Sequence, residues 1–372
     1  MAVPTDQDFH WMAQALRLAA QGLFTTTPNP RVGCVIVKDN HIVGSGAHLK
    51  AGEPHAEVHA LRQAAAQAEG ADVYVTLEPC SHHGRTPPCV EAVIGIKPRR
   101  VIIAMQDPNP LVAGRSVAAL RALGIEVVVG VMENEARALN AGFISRMTRG
   151  LPYVRSKVAA SLDGRTALNN GKSQWITGEQ ARQDVQQWRA QSCAIITGIG
   201  TVLADDPSMT VRLENTTRQP LRVIVDSSLQ TPADSRMLDP LTLHHSPVLV
   251  VYAEDHPQRA ARLIEAGAEL LLSAGPANKV DLQGLLRALA QRGMNEVLVE
   301  AGQGLNGALL HAGLIDEFVF YYAPKLMGDA AKAMFAMPEL TQMQQVTDLQ
   351  LLDVRQVGRD IRIQAKPANT RS

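Results

Sequence analysis

The sequence predicts an α/β protein built as two successive domains, and three observations carry that expectation. Short apolar, β-branched runs alternate with segments of helical periodicity along the whole chain. At 372 residues the chain is too long for one ordinary core and suits two of unexceptional size. The alternation also stops and restarts around Arg149-Gly150-Leu151-Pro152, which puts a first domain at 1–148 and a second at 149–372.

Phe9, Met12, Ala13, Leu16, Ala19, Ala20 and Leu23 recur at helical spacing, so residues 7–23 are expected as an amphipathic helix capped by Asp6 or Asp8. The apolar runs Val32 to Val37 and Ile42 to Ala47, joined by Lys38-Asp39-Asn40, read as a β-hairpin. A helix from His55 to Ala68 stops at Gly70. Strands Val73 to Leu77, Val101 to Met105 and Ile125 to Val129 then alternate with helices Pro88 to Ile96, Ser116 to Leu123 and Glu133 to Met147. In the second half, strands are expected at Tyr153 to Ala160, Ala194 to Thr197, Leu221 to Val225, Val248 to Val251, Leu270 to Leu272, Val297 to Glu300, Phe318 to Tyr322 and Val357 to Ile363. Helices are expected at Gly178 to Gln191, Pro257 to Ala266, Leu282 to Arg292 and Leu305 to His311.

Composition excludes several function classes. The 36 basic residues balance 36 acidic ones and aromatic residues make up 4%, so neither the basic stripe nor the stacking platform of a nucleic-acid groove is present. No apolar run reaches the roughly 20 residues that span a bilayer, and Met1-Ala2-Val3-Pro4-Thr5-Asp6 lacks the start of a secretory leader. A cytoplasmic enzyme of small molecules is expected, as a homo-oligomer (dimer or tetramer). Four cysteines make no disulfide framework; Cys34 and Cys193 lie in strand-like runs and read as buried thiols.

The other two cysteines belong to a constellation. His55, Cys80 and Cys89 offer one imidazole and two thiolates, a set that suits zinc and leaves a fourth tetrahedral position open for water. Glu57 is not needed as a ligand and is free to carry the proton that such a water loses. A structural zinc would use four protein ligands, and neither His82 nor His83 is spaced to complete this one. The His-x-Glu and Pro-Cys pieces are those of zinc-dependent base deaminases. The departure is the last spacing: eight residues, Ser81 to Pro88, separate Cys80 from Cys89 where that pattern has two.

The loop Pro-Cys-Ser-His-His-Gly-Arg-Thr-Pro-Pro-Cys, with Thr27-Pro28-Asn29-Pro30 before it and Gln106-Asp107-Pro108-Asn109-Pro110 after it, closely resembles the bifunctional deaminase/reductase family of riboflavin biosynthesis, and the resemblance continues to the chain's end. It implies a cytidine-deaminase-like α/β/α first domain with a mixed sheet and a dihydrofolate-reductase-like α/β second domain. It implies one zinc per chain and NADPH as cofactors. The substrate it implies is a diamino-ribosylamino-pyrimidinone 5′-phosphate, deaminated first and then reduced from ribosyl to ribityl. By the same resemblance Asn29 and His48 contact the pyrimidine, and His82, Arg85 and Asn109 the ribose phosphate. An asparagine beside proline otherwise reads as a turn and a lone histidine as a surface group.

Gly302-Gln303-Gly304-Leu305-Asn306-Gly307 follows a strand and precedes a helix, the setting for a phosphate at a helix N-terminus. It falls late in its domain and no acidic residue ends the next strand, which disfavours an ordinary Rossmann half and NAD. Gly302, Gln303, Gly304, Leu305, Asn306, Gly307 and Ala308 are expected at the cofactor. The resemblance adds Ala159, Trp175, Thr201, Asp205 and Ser227 there, and Ser173, Arg189, Met209, Arg212 and Glu300 at the substrate. Lys157 and Glu300, at strand ends, are expected as the catalytic proton-transfer groups of reduction, beside Asp205. Asp163-Gly164 reads as a turn. Two rival functions remain open to these residues: a nucleoside or RNA-base deaminase with an appended binding domain, and a zinc-stabilised scaffold that senses NADPH.

Overall fold

The computed structural model describes residues 3–81, 88–110, 112–214 and 216–368. The chain divides into two compact units, Met1–Gly150 and Leu151–Ser372.

The first unit runs α1 (Asp6–Ala19), β1 (Gly33–Lys38), β2 (His41–Ala47), α2 (Ala56–Ala64), β3 (Asp72–Leu77), α3 (Cys89–Gly95), β4 (Arg100–Met105), α4 (Arg115–Ala122), β5 (Glu126–Val129), α5 (Glu133–Leu139) and α6 (Ala141–Arg149). Its sheet has the order β2-β1-β3-β4-β5, antiparallel from β2 to β3 and parallel from β3 to β5. Asp39 and Asn40 both take positive φ, 48° and 60°, as a tight hairpin turn requires. The helix α2 lies unusually close to this sheet. A Cβ at Gly44 or Gly46 would stand 2.2 Å from the Ala60 carbonyl oxygen or 2.3 Å from that of Ala56, so only glycine admits the alanine-rich helix there. That contact sets the start of α2, where His55 and Glu57 sit.

Two expectations for this unit are corrected. The first helix is capped by Thr5, and Asp8 is buried at its third position, where it takes the Thr5 N–H (2.8 Å), the Tyr74 hydroxyl (2.9 Å) and the Arg100 guanidinium (2.9 Å). The single helix expected over 133–147 is two, because Asn140 leaves helical geometry and spends its buried amide on the Arg31 backbone, accepting from N–H at 2.8 Å and donating to C=O at 2.9 Å.

The second unit runs β6 (Tyr153–Ser161), β7 (Arg165–Ala167), α7 (Glu179–Gln191), β8 (Ala194–Gly198), α8 (Ile199–Asp205), β9 (Leu221–Val225), α9 (Pro240–Leu243), β10 (Val248–Tyr252), α10 (Pro257–Glu265), β11 (Glu269–Leu272), α11 (Leu282–Gln291), β12 (Glu296–Val299), α12 (Gln303–His311), β13 (Glu317–Ala323), β14 (Lys332–Ala333), β15 (Leu349–Val357) and β16 (Asp360–Pro367). Nine strands form one sheet, β11-β10-β9-β8-β12-β6-β13-β16-β15, parallel as far as β13 and antiparallel beyond it. Its central strands are apolar on both faces, as a sheet covered on both sides demands. The single last strand expected at 357–363 is a hairpin of two, turning at Gly358 with φ of 61°. The helix α8, absent from the sequence reading, follows Gly198 directly.

No helix among the described residues is long and apolar enough to cross a membrane.

Candidate active sites

In the first unit, β3 delivers Cys80 just past its end, α2 carries His55 at its N-cap position and α3 opens on Cys89. The three meet. His55 Nδ1 lies 3.2 Å from Cys89 Sγ and 3.7 Å from Cys80 Sγ, and all three ligand atoms fall within 4.8 Å of one another. The Cys89 backbone N–H donates to Cys80 Sγ at 3.2 Å, which favours a thiolate there. The Cys89 hydrogen bond is the first cause, and His55 a further one, that draws the Cys80 thiol far below its ordinary range; the same contact and burial push Cys89 up. Glu57 is 3% exposed, and its Oε2 has no hydrogen-bond partner among the described residues. Burial pushes this carboxyl up. An orphaned buried carboxylate oxygen beside an N,S,S donor set fits a zinc with an open position.

Asn29 and His48 are brought together as well. His48 is buried, and its Nδ1 lies 3.2 Å from the Pro54 carbonyl, which accepts only, so this nitrogen bears the hydrogen. Its Nε2, 3.0 Å from Asn29 Nδ2, is then the acceptor. Burial also lowers the His48 pKa and keeps the ring neutral in that tautomer. The Asn29 amide is thus oriented with its Nδ2 toward His48. His48 stacks edge-on against His55 at 5.2 Å between ring centres. His82 and Arg85 lie outside the described residues.

One residue of this site was missed from the sequence. Buried Glu78 accepts backbone N–H bonds from Asp107 (3.3 Å), Gly114 (2.9 Å), Ser116 (3.0 Å) and Val117 (3.3 Å). It therefore ties the loop that bears Asn109 to the strand end that bears Cys80. Asn109 is held in that loop by its own N–H, which donates to Asp107 Oδ1 at 2.8 Å. The local signal was a glutamate directly before Pro79-Cys80; its partners, about 30 to 40 positions on, are not readable from spacing.

In the second unit a cavity of about 950 Å³ opens over the C-terminal ends of the parallel strands. Lys157, Ala159, Ser173, Trp175, Arg189, Thr201, Asp205, Met209, Arg212, Ser227 and Glu300 all line it, with Gly302, Gln303, Gly304, Leu305 and Ala308. Gly302 and Gly304 face open space, with no atom within 4 Å of where a Cβ would stand, at the start of α12. That cradle, and the cavity's size, fit a dinucleotide whose phosphates meet free N–H groups. Asn306 and Gly307 do not line the cavity. Asn306 is 1% exposed, accepts the Ser156 hydroxyl (3.0 Å) and donates to the Ala301 carbonyl (2.8 Å). Gly307 faces the other way, where a Cβ would be 2.1 Å from the Ala336 carbonyl oxygen. Gly302 and Gly304 thus open on the cavity while Gly307 admits the Ala336 backbone, so the glycine spacing serves packing as well as the ligand.

Glu300 is an ion-paired carboxylate on the cavity wall. Arg189 grips it with two hydrogen bonds, Nε at 2.6 Å and Nη2 at 3.0 Å, and Lys157 Nζ stands 3.9 Å away. Burial alone would raise its pKa, but Arg189, then Lys157 and Arg212, overcome that and hold it ionised. Lys157 is shifted down by the same burial. Asp205 accepts the Ser173 hydroxyl at 3.0 Å. Asp163 lies off the cavity and closes a turn by accepting from Met327 (2.9 Å) and Gly328 (2.7 Å) N–H.

Known proteins match both units. Residues 5–105 match the cytidine and deoxycytidylate deaminase zinc-binding region, and residues 152–363 the RibD C-terminal domain. The chain is 48% identical over 367 residues to riboflavin biosynthesis protein RibD of Escherichia coli (strain K12), covering 95% of this chain and 98% of that one. It is 44% identical to the RibD of Haemophilus influenzae, covering 98% of each. Among solved structures, Acinetobacter baumannii RibD superposes with a TM-score of 0.89 at 48% identity, covering 98% of this chain and 99% of that one. A diaminohydroxyphosphoribosylaminopyrimidine deaminase/5-amino-6-(5-phosphoribosylamino)uracil reductase from Thermotoga maritima gives 0.85 at 32% identity, covering 97% and 99%. A nucleoside or RNA-base deaminase with an appended binding domain is not favoured, because the match runs through both halves. With a zinc-binding deaminase region, a reductase domain of NADPH-dependent type and relatives matched along nearly their whole length, the chain belongs to the bifunctional deaminase/reductase family of riboflavin biosynthesis.

Proposed function

We propose that residues 1–148 deaminate the pyrimidine ring and residues 149–372 reduce the ribosyl group, with the roles divided as follows. His55, Cys80 and Cys89 hold zinc, which when bound lowers the pKa of a water at its open position. Glu57 takes that water's proton on its unpartnered Oε2 and returns it to the leaving amine, a task suited to a buried carboxyl whose pKa is raised. The single observation that carries this half is the orphaned Glu57 oxygen beside the three ligands. Neutral His48 orients Asn29, whose amide reads the ring's donors and acceptors. Asn109, His82 and Arg85 take the ribose phosphate.

In the second domain NADPH supplies the hydride. The N–H groups of Gly302, Gln303 and Gly304 would hold its phosphates, and Ala159, Trp175, Thr201, Asp205, Ser227, Leu305 and Ala308 would line its path. Lys157 gives the proton that opening of the sugar ring requires. Its ordinary neighbour would be a free carboxylate, but Glu300 is spent on Arg189, so Lys157 is the donor and Glu300 and Arg189 place the substrate together with Ser173, Met209 and Arg212.

The enzyme acts in the cytoplasm on a small molecule, does not bind nucleic acid, and is a homo-oligomer. Support for the last is the edge strand β15, where Leu349, Leu351, Leu352 and Val354 stand exposed on an unpaired edge that a second copy would cover. The test is to incubate the purified protein with the diamino-ribosylamino-pyrimidinone phosphate with and without cofactor. Ammonia release without cofactor, then oxidation of NADPH in preference to NADH, is expected. Unchanged substrate with zinc and NADPH present would instead favour a scaffold that only senses the cofactor.

A further inference from the structure

One wall of the second unit's cavity is a stretch without regular structure between α8 and β9, where Pro207, Ser208, Met209 and Arg212 line the space. Among the described residues no backbone–backbone hydrogen bond holds residues 207–212. Side chains hold them instead. Arg189 Nη1 donates to the Thr210 carbonyl at 3.0 Å, and Gln186 Oε1 takes the Arg212 N–H at 2.9 Å. Gln219 spans Val211, accepting its N–H at 2.8 Å and donating to its carbonyl at 2.9 Å. At the start of the stretch Arg222 Nη1 donates to the Ser208 carbonyl at 3.0 Å. Directly after that contact Met209 takes a φ of 53°, a left-handed value that a residue with a side chain keeps where its surroundings hold it.

Arg222 is an unexpected residue for its place. It stands in β9 between β8 and β10, fully buried, and does not line the cavity. Burial draws its pKa down to about 10, and Asp239, acting through space, opposes this. Among the described residues its hydrogen bonds go to carbonyls and no carboxylate pairs with it. A buried cation without a counter-ion is unfavourable, and an apolar residue would fill a central strand without that penalty. The guanidinium is divided between two tasks. Nε, at 3.1 Å, and Nη2 both donate to the Ser246 carbonyl, and Nη1 is left for Ser208. Ser246 is itself fixed, since its buried hydroxyl donates to the Pro220 carbonyl at 2.8 Å. A planar fork anchored by two of its donors has the direction of the third set.

We propose that Arg222 is a positioning residue of the reductase, which from outside the cavity holds residues 207–212 in the form that receives the substrate. This rests on the reading of the second domain as the reductase, with Met209 and Arg212 at the substrate. The glycine turn at the start of α12 is a separate element that Arg222 does not touch. Substrate binding therefore depends on Arg222 and cofactor binding does not.

The experiment compares the full-length wild type with Arg222→Met, Arg222→Lys and Gln219→Ala, by reduction of deaminated substrate with NADPH and by amide hydrogen exchange. Arg222→Met should raise the KM for deaminated substrate roughly tenfold, as loss of a hydrogen bond from a charged group implies. Its kcat should change little, because bound substrate restores the loop. Arg222→Lys keeps a charge and a donor and should recover part of the loss. Gln219→Ala leaves the core of β9 alone and should raise the same KM by a smaller factor, which tests the loop even where Arg222→Met does not fold. The NADPH KM and deamination should not move, and exchange should quicken more at Val211 and Arg212 than in β8 and β12. A lower kcat at an unchanged substrate KM, with exchange quickened alike in β8 and β12, would make Arg222 merely structural. A raised NADPH KM would assign the loop to the cofactor; either result overturns the proposal. If the wild type reduces nothing while exchange at Val211 still quickens in the variants, the reductase reading is what fails, and the proposal falls with it.

Discussion

Glu300 and Arg189, 111 positions apart in the chain, form a buried two-pronged ion pair at 2.6 and 3.0 Å that decides the chemistry available to Lys157. A carboxylate clamped by a guanidinium neither accepts nor gives a proton readily, but its charge still acts on the ammonium 3.9 Å away. Burial lowers the Lys157 pKa from the ordinary 10.5, Glu300 offsets part of that, and Arg189 adds to the lowering.

The sign for reduction follows. A donor must be protonated, so kcat should fall on the alkaline side as pH rises through the lowered Lys157 pKa. Glu300→Gln removes the charge that holds that pKa up and frees the Arg189 charge, so this alkaline limb should move to lower pH. Breaking a buried pair should also cost about 3 kcal/mol of stability, readable by denaturant unfolding. A pH profile of kcat whose limb stays in place would exclude Lys157 as the donor.

At the first site, Glu57→Gln should cut deamination by about 10²–10⁴-fold, since an amide can neither take nor return the proton. Zinc content and reduction of pre-deaminated substrate should persist. Cys89→Ser, by contrast, should lose tightly held zinc. Full metal occupancy in the serine variant, or near-normal deamination by the glutamine variant, would each reject the assigned role.

The two glycines of α12 should behave in opposite ways. Gly304→Ala places a methyl in open space at a helical position, so the fold should keep its stability or gain up to about 1 kcal/mol. The NADPH KM should nevertheless rise, because that methyl intrudes where phosphate meets backbone. Gly307→Ala drives a methyl to 2.1 Å from a carbonyl oxygen and should cost about 1–3 kcal/mol. Thermal melts and cofactor titrations of both variants check this, and like behaviour of the pair would contradict it.

Glu78→Gln should weaken the loop that bears Asn109, since an amide presents an N–H to the N–H groups that the carboxylate now accepts. About 1–3 kcal/mol of stability should be lost from the first unit, with a raised deaminase KM and an unaltered reductase KM. A deaminase KM equal to wild type would show that Glu78 does not position Asn109.

What the sequence by itself determined is the set of elements and the chemistry of the zinc site. Periodicity is a local property, so most strands and helices were legible to within a few residues, and His, Glu and Cys are few enough that their identities name their chemistry. Tertiary structure decided the partnerships. The break at Asn140 depends on the Arg31 backbone, 109 positions away, and no helical periodicity records that. The glycine run reads as one phosphate loop in sequence, yet the helical turn sends Gly304 to the cavity and Gly307 into the Ala336 backbone. Glu300 carries the same letter whether it is a free acid or an arginine's counter-ion; only the approach of α7 to the end of β12 made it the second, because the effect of a charge is set by what lies within a few ångströms of it.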